Sequence, residues 1–289
     1  APAHNRIELY SMIPVTCAQC GLRIFVPPEV QGRAGVCFRC GLPLVIPTSA
    51  LRTRHDELRY ECGDRIADRY VVQEQIGKGG MGVVYRAMDT LVQDVVALKF
   101  LHPNMLRTEQ GQQLFIREAQ IARRLRHENI VAVHDVSWTN EGILYLSMEF
   151  ADGQPLRALL RRGRQERRLL PVRLMVTYLR QILAALEYAH HMVIHRDIKP
   201  ENVMVMPNER VKVLDFGLAK AGHEEYFKEG EKGLPANKMV GTWAYAAPEQ
   251  RKKQAVDQRA DIFAVGLLMH ELLTLRTPLD DPVEVLDVR

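Results

Sequence analysis

The chain has 289 residues, of which 47% are hydrophobic and 26% charged, and its formal net charge is +4. These values are typical of a soluble globular protein with room for about two domains, and the mild charge gives no reason to expect nucleic acid or an anionic membrane as a partner. The longest apolar run, residues 262–275, contains His270 and Glu271 and is too short to span a membrane, so it indicates a buried core helix. Because the first residues lack the basic start and apolar run of a signal peptide, we expect a cytoplasmic protein with no membrane segment in this chain. A membrane anchor beyond the chain is the alternative.

Two copies of a cysteine motif lie near the start of the chain, CAQCGL from Cys17 and CFRCGL from Cys37. The two CxxC pairs are separated by 16 residues, which is the spacing of a four-cysteine zinc site. In each copy the second Cys is followed by a Gly that can adopt the backbone angles of a metal knuckle, and then by an apolar run that predicts a short strand. We therefore interpret residues 1–47 as a zinc ribbon in which four thiolates hold one structural Zn²⁺: Cys17, Cys20, Cys37 and Cys40. A redox-active CxxC pair and free buried thiols are the alternatives.

Residues 48–68 are charged and have no sustained apolar period, which predicts a linker. The second domain is expected to occupy residues 69–289. Since the ribbon lacks a basic, aromatic-rich face, a protein-contact or regulatory module is favoured over a nucleic-acid binder.

A glycine-rich segment, QIGKGGMGVVYRA, opens the second domain. In a dinucleotide-binding fold a helix follows the last Gly of GxGxxG, whereas here an alternating, β-branched segment follows, so the glycines are predicted to lie in a strand–turn–strand hairpin. A third strand, VVALKF, presents Lys99. The next segment has apolar residues at helical spacing and places Glu118 where it can reach back toward Lys99.

Three further motifs follow in order: HRDIKPEN at 195–202, DFG at 215–217 and APE at 247–249. With the glycine loop and Lys99, the chain resembles the eukaryotic-like (Hanks-type) Ser/Thr protein kinases of bacteria. The resemblance implies an α+β, two-lobed kinase fold, with an antiparallel β-sheet and a helix in the N-lobe and a mainly helical C-lobe. Because the family's C-lobe continues for several helices beyond the point where this chain ends, we expect an incomplete C-lobe.

The resemblance also implies a catalytic role for each motif residue. Asp197 would accept the proton of the incoming hydroxyl, and Lys199 would steady the γ-phosphate of ATP. Lys99, oriented by Glu118, would hold the α- and β-phosphates. Asp261 would tie the catalytic loop to the central helix of the C-lobe.

The implied cofactors are ATP and Mg²⁺ (or Mn²⁺). Asn202 and Asp215 would hold the metal ions through oxygen atoms, the ligands that hard cations prefer. Met148 would be the gatekeeper beside the adenine. The full set of implied ATP-binding positions is Ile76, Gly77, Gly79, Gly82, Val84, Ala97, Lys99, Met148, Glu149, Ala151 and Met204.

The activation segment departs from the family pattern. Arg196, which in the family receives a phosphate from this loop, is present, but residues 218–241 contain no Ser or Thr. We therefore expect that the kinase is not switched by threonine autophosphorylation there. An acidic group could give Arg196 a permanent carboxylate partner, or could simply be solvated: Glu224, Glu225, Glu229 and Glu231.

Residues 157–168 carry six arginines in twelve positions. They could attract acidic substrates or partners, or they could form a solvated helix face. Taken together, the sequence predicts an Mg-ATP-dependent protein Ser/Thr kinase that acts on protein substrates. The alternatives are an ATP-binding scaffold or kinase fragment without full activity, and a nucleic-acid-associated regulator led by the ribbon.

Overall fold

The structure, a computed structural model, describes residues 13–17, 19–26, 30, 33–45, 59–79, 82–101, 109–139, 142–216, 244–252 and 254–278. The chain forms two compact units, one made of residues 1–112 and 136–146 and the other of residues 113–135 and 147–289. Among the helices in the described part of the chain, none is both long and apolar enough to cross a membrane.

The cysteine-rich segment folds as two β-hairpins. Strands β1 (Ile13–Thr16) and β2 (Arg23–Val26) pair antiparallel in the first, and β3 (Ala34–Val36) and β4 (Pro43–Val45) pair in the second. The sequence predicted only the strand that follows each CxxC pair. The strands that precede the pairs were missed because β1 contains a Pro and β3 a Gly, both of which are depleted in strands.

The main sheet of the first unit begins with β5 (Arg65–Ile66), β6 (Tyr70–Gly79), β7 (Gly82–Asp89) and β8 (Asp94–Leu101). It is completed by β9 (Val133–Trp138) and β10 (Leu144–Glu149), which run on into the second unit, and the strand order is β5-β6-β7-β8-β10-β9. Burial alternates along β7, as expected for a strand with one face in the core. On that face Tyr85, Leu98 and Phe100 are fully buried and form the centre of the core.

The folded sheet reaches further toward the N-terminus than the boundary predicted at residue 69. The backbone N–H of Tyr60 donates to the hydroxyl of Tyr85 at 3.0 Å, and the Tyr60 ring lies 4.9 Å from the ring of Phe100. Ile66 in β5 is only 2% exposed. Residues 59–68 therefore pack on the sheet. A charged segment with two apolar anchors gives no periodic signal, which is why the sequence predicted a linker there.

The second unit is mainly helical. Helix α1 (Glu109–Ala122) enters it from the first unit, and α2 (Leu156–Glu166), α3 (Val172–Ala189), α4 (Pro248–Arg251) and α5 (Arg259–Thr274) follow along the chain. A small sheet has the order β11 (Gln154–Pro155), β12 (Val203–Val205), β13 (Val211–Val213). The buried core is shared by α3, α5 and this sheet, as shown by Ile182, Leu186, Val203, Val213 and Leu268. The helix predicted for 262–275 and the α+β class are both confirmed. Only one face of the helix is buried, because Ile262, Met269 and Leu273 are 48%, 47% and 45% exposed.

Candidate active site

Three polar side chains of the HRDIKPEN segment form one hydrogen-bonded cluster. The Lys199 ammonium group donates to both carboxylate oxygens of Asp197, at 2.9 and 2.7 Å. The Asn202 amide donates to the Asp197 carboxylate at 2.9 Å and to its backbone carbonyl at 2.8 Å. The Asp197 side chain is 9% and that of Lys199 15% exposed, so the pair is largely removed from water. The sequence prediction that these three residues share a site is consistent with this geometry.

Asp261 holds the backbone that presents this cluster. Its carboxylate accepts the backbone N–H groups of His195 at 2.8 Å and Arg196 at 2.7 Å, and it lies 2.8 Å from the ring nitrogen Nε2 of His190. Asp261 is 1% exposed, and these three partners compensate its burial. Arg196 has a φ of +67°, a left-handed conformation that costs a non-glycine residue about 1–2 kcal/mol. The predicted role of Asp261 as the tie to the central helix, α5, is confirmed.

Asp215 lies just after β13 and is joined to the same loop. The Leu214 backbone N–H donates to the carbonyl of Asn202 at 2.9 Å, and the Leu214 carbonyl lies 2.7 Å from Nε2 of His195. The ring of Phe216 meets the ring of His195 edge to face at 4.6 Å. Asp215 itself has a φ of +60°. Strained residues that the surrounding structure holds in place are typical of functional sites.

The donor set of this loop fits a hard cation. The amide nitrogen of Asn202 is engaged with Asp197, which leaves its amide oxygen as the atom for a further partner. Asp215 adds a half-buried carboxylate. Carboxylate and amide oxygens are the ligands that Mg²⁺ takes, so the two residues are suitable, and their ligation stays a prediction.

The glycine loop is the β6–β7 hairpin, as predicted, but its glycines differ in what they are needed for. Gly79 pairs with Gly82 at the tip, and a Cβ at Gly79 would meet nothing within 4 Å. A Cβ at Gly82 would lie 1.9 Å from the carbonyl oxygen of Phe100 in β8, and Gly82 has a φ of +146°. Gly82 is therefore required by the packing of β7 on β8, whatever the loop binds.

Three of the predicted ATP-binding residues share one face of the sheet in the first unit. Ala97 and Lys99 are two positions apart on β8, and Val84 is the cross-strand partner of Lys99. Lys99 is only 5% exposed. Ile76, in contrast, is 44% exposed and lies at a register shift of β6. The side chain of Glu118 lies outside the described part of the chain, so its ion pair with Lys99 stays a prediction.

The remaining predicted ATP-binding residues lie in the second unit. The Glu149 carboxylate accepts from the Lys212 ammonium group at 2.7 Å and from the backbone N–H of Ala132 at 3.2 Å. This fixes the segment that runs from Glu149 to Ala151. Met204 lies on β12 opposite Lys212. Met148 is buried and lines a small, mostly apolar cavity with these residues: Ala122, Leu125, Ile130, Val131, Val133, Asp215 and Phe216.

Sequence reasoning missed a buried charge network in the second unit. Glu271 of α5 has no exposed surface, and its carboxylate accepts from Arg157, Arg164 and the hydroxyl of Tyr245. Arg157 also donates to Glu201 at 2.7 Å. Burial, together with the Glu271 carboxylate, raises the pKa of Tyr245. The arginine run is therefore not simply a solvated face. The sequence did hold a signal for this network: Arg157 and Arg164 lie seven positions apart, on one face of a helix, and Glu271 interrupts an apolar run.

Several residues named in the predictions on the activation segment lie outside the described residues, which resume at 244 after 216. These are Gly217 of the DFG motif and the acidic group Glu224, Glu225, Glu229 and Glu231. The Nε atom of Arg196 is buried and has no hydrogen-bond partner within the described residues. The two alternatives for the acidic group, a carboxylate partner for Arg196 or a solvated cluster, both stay predictions.

The four cysteines of the ribbon converge on one point. Their sulfur atoms all lie within 4.8 Å of one another, and the pairs Cys17–Cys40 and Cys20–Cys37 are 3.5 and 3.6 Å apart. These distances exclude disulfides and are close to the roughly 3.8 Å between sulfurs on a tetrahedral zinc with Zn–S bonds of about 2.3 Å. Each hairpin makes the same turn: Gly21 and Gly41, with φ of +67° and +74°, donate to the carbonyls of Cys17 and Cys37.

The backbone of the first knuckle favours a thiolate. A hydrogen bond from the backbone of Cys20 is the main cause that lowers the pKa of Cys17 to about 6, against the opposing effect of burial. Zinc binds the thiolate form of cysteine, so the first knuckle fits the ion. At Cys40 a backbone hydrogen bond from Leu42 is outweighed by burial and the three neighbouring sulfurs, which raise the pKa to about 12, and a bound cation would offset this crowding of negative charge. The donor set of four thiolates has no open position, which is typical of a structural rather than a catalytic zinc site.

The sheet with its glycine hairpin, the helical unit and the Asp197 cluster together define a protein kinase. The model of the protein kinase domain family matches residues 70–286, and the chain belongs to that family. Among solved structures, it is similar to the kinase domain of Mycobacterium tuberculosis PknI, with 28% identity and a TM-score of 0.59 over 76% of this chain and 79% of that one. The predicted kinase fold is confirmed.

More particularly, the chain is similar to bacterial serine/threonine-protein kinases. It is 43% identical over 230 residues to a probable serine/threonine-protein kinase of Streptomyces coelicolor, covering 76% of this chain and 32% of that protein. It is 39% identical to pkn3 of Myxococcus xanthus over 75% of this chain and 40% of that one. It is 35% identical to PknB of Mycolicibacterium smegmatis, over 76% of this chain and 35% of that protein. The chain thus spans about a third of the length of these relatives.

Proposed function

We propose that this chain transfers the γ-phosphate of Mg-ATP to Ser or Thr hydroxyls of protein substrates. The observation that carries the proposal is the buried Asp197–Lys199–Asn202 cluster, held in place by Asp261. Catalysis of phosphoryl transfer depends on positioning and electrostatic stabilisation more than on covalent catalysis. A base, a cation and an amide held together in one cluster can provide both. The relatives named serine/threonine-protein kinases support the choice of acceptor.

Each residue of the cluster has a distinct part in the proposal. The Asp197 carboxylate accepts a hydrogen bond and then the proton from the acceptor hydroxyl. Two of the three N–H donors of Lys199 bond that carboxylate, and the third is offered to the phosphate being transferred. Lys99 contributes a positive charge to the nucleotide phosphates. Asn202 and Asp215 hold the metal, which neutralises charge on the phosphates when it is bound.

The test is transfer of labelled phosphate from Mg-ATP to the chain itself and to a generic basic protein. We expect Asp197→Asn to reduce transfer by about a thousandfold, because the amide cannot take the proton. Asp257→Asn, which alters an exposed carboxylate paired with Arg259 in the same unit, is the matched control and should keep full activity. If Mg-ATP raises the melting temperature but no phosphate is transferred, the chain is an ATP-binding scaffold and the proposal fails.

The proposal extends to the N-terminal segment. Residues 1–47 form a zinc ribbon with one structural ion on Cys17, Cys20, Cys37 and Cys40, supported by the convergence of their sulfurs. The ribbon acts as a protein-contact module. Its support is the second hairpin, where Val36 is 67% and Phe38 76% exposed, since exposed apolar groups of this size mark contact sites when they cluster.

A further inference from the structure

The structure divides the arginine run into two classes. Arg157 and Arg164 are bound to the buried Glu271. The other four are exposed, and no ion pair joins them to a carboxylate in the described part of the chain: Arg161, Arg162, Arg167 and Arg168. We call these four the α2 arginine surface. Glu166 is the single acidic residue of this stretch, so the surface carries a strong net positive charge.

Helix stability does not account for this surface. Arg157 and Arg164 are compensated by Glu271, and Glu166 lies four residues after Arg162, but no acidic residue lies three or four positions from Arg161 along α2. Arg167 follows the last turn with a φ of +51°, a conformation in which Gly or Asn is usual. Attraction to the negative end of the helix dipole favours cations in the last turn, but it does not reach Arg161 in mid-helix. A group of exposed like charges that no described carboxylate compensates is suited to bind an anionic group.

The surface is anchored beside the proposed catalytic cluster. Arg157 donates to Glu201, whose neighbour in the chain, Asn202, contacts Asp197. Arg161 lies one turn further along α2, about 6 Å from Arg157 along the helix axis. Because Arg157 and Arg164 fix α2 to the buried Glu271, Arg161 and Arg162 are presented from an anchored helix. Arg167 and Arg168 follow in the turn that ends α2, where their backbone N–H groups donate to the carbonyls of Arg164 and Gly163.

We propose that the α2 arginine surface binds an acidic segment of the protein substrate. This inference rests on the proposed kinase function and adds a substrate class to it. The guanidinium groups recognise Asp and Glu side chains through charge-assisted hydrogen bonds. Such contacts act on substrate capture and leave the chemical step unchanged.

The test uses the 289-residue chain and three peptides with one Ser/Thr acceptor, flanked on both sides by Glu, by Gln or by Lys. We expect the lowest KM for the Glu peptide. In the double variant Arg161→Gln with Arg162→Gln, the KM of the Glu peptide rises about five- to tenfold. We expect the same rise in the double variant Arg167→Gln with Arg168→Gln. In both double variants kcat and the KM of the Gln peptide stay within about twofold of the wild-type values. The preference for Glu weakens between about 50 and 300 mM salt, as screening requires. Arg173→Gln, an exposed arginine on α3, is the control and leaves all three KM values unchanged.

Equal KM values for the Glu and Gln peptides, or variants that leave the Glu peptide unaffected, overturn the inference. Fluorescence anisotropy of a labelled Glu peptide measures peptide binding directly, and so tests this inference separately from the proposed kinase function. If the chain binds the labelled Glu peptide, the variants lose this binding and no phosphate is transferred, the acidic-segment site is supported and the kinase proposal fails. Single-stranded RNA that binds more tightly than the Glu peptide, and is lost in the same variants, overturns the inference in favour of nucleic acid.

Discussion

Glu271 carries a fully buried carboxylate whose partners are Arg157, Arg164 and Tyr245. Taking a charge out of water is costly, and the cost is offset only while every partner is in place. Glu271→Gln keeps the shape of the side chain but removes the anion, so two guanidinium groups lose their common partner. We expect the free energy of unfolding to fall by about 2–4 kcal/mol, measured by urea denaturation at neutral pH.

The matched control is Glu209→Gln, which removes an exposed carboxylate paired with Arg173 in the same unit. Exposed pairs of this kind are screened by water, so the free energy of unfolding of this variant should equal that of the wild-type protein. Equal effects of the two substitutions would contradict the importance assigned to the buried network.

The same network shows where sequence reasoning stops at the level of single residues. Asp197, Lys199 and Asn202 lie within six positions, so a motif contains both the residues and their contact. Arg157 and Glu271 are separated by 114 positions, and their contact depends on how α2 meets α5. A local pattern can show that an acid interrupts an apolar run, but it cannot show which cation compensates the acid.

At the level of elements, two glycines of the β6–β7 hairpin serve different purposes, Gly82 the packing of strands and Gly79 the proposed binding of ATP. A methyl group at Gly82 would collide with the carbonyl of Phe100, whereas one at Gly79 would meet open space. We therefore expect Gly82→Ala to push β7 away from β8 and to lower the free energy of unfolding by about 2–4 kcal/mol. Gly79→Ala should leave stability unchanged and affect only the binding of ATP.

Two measurements on both variants check this difference, urea denaturation without nucleotide and the rise in melting temperature on adding Mg-ATP. If Gly82→Ala is as stable as the wild type and only loses the response to ATP, the packing role is wrong. The sequence predicted the hairpin itself from alternating residues after the glycines. The distinct role of Gly82 required the register of β7 on β8, which no local pattern supplies.

Short elements were predicted least well, for a common physical reason. β5 has two residues and β3 three, with all of β3 exposed. Strands this short are held by one or two anchors, such as Ile66, and by pairing with a neighbour. Their sequences carry no apolar alternation, so residues 59–68 were included in the linker predicted at 48–68. Long elements with a buried face were predicted because their sequences record it, β7 by the alternation of its residues and β8 and α5 by apolar runs.

At the level of the whole molecule, the order of the kinase motifs was sufficient to predict the α+β fold, and the family match confirms it. The cysteine spacing likewise predicted that four sulfurs converge. In both cases the signal is a set of spaced residues that only one arrangement satisfies. The charge balance along α2 was not predicted, because pairing within the helical unit decides which arginines face water.

The zinc ribbon allows a prediction on how the parts of the chain depend on metal. Among its described residues, the buried core is Val15, Leu44 and two of the cysteines, with Leu22, Val26, Val30 and Leu42 partly buried against it. A segment this short buries too little apolar surface to offset the entropy of folding. The sheet of the first unit has a large aromatic core of its own, including Tyr85 and Phe100. A structural zinc contributes roughly 10–16 kcal/mol of apparent binding free energy, so metal should decide the folding of the ribbon alone.

We therefore expect one zinc per chain by elemental analysis, and its loss in Cys20→Ser. Removing zinc with a chelator should abolish hydrogen-exchange protection of the amides in residues 13–45 while protection in 70–101 persists. Cys62→Ser is the control, because Cys62 is exposed and lies outside the four-sulfur cluster, and this variant should keep its zinc. Protected amides in the zinc-free ribbon would show that the hairpins fold without metal. Loss of protection across both regions would instead mean that the ribbon stabilises the kinase sheet, and that the two fold as one cooperative unit.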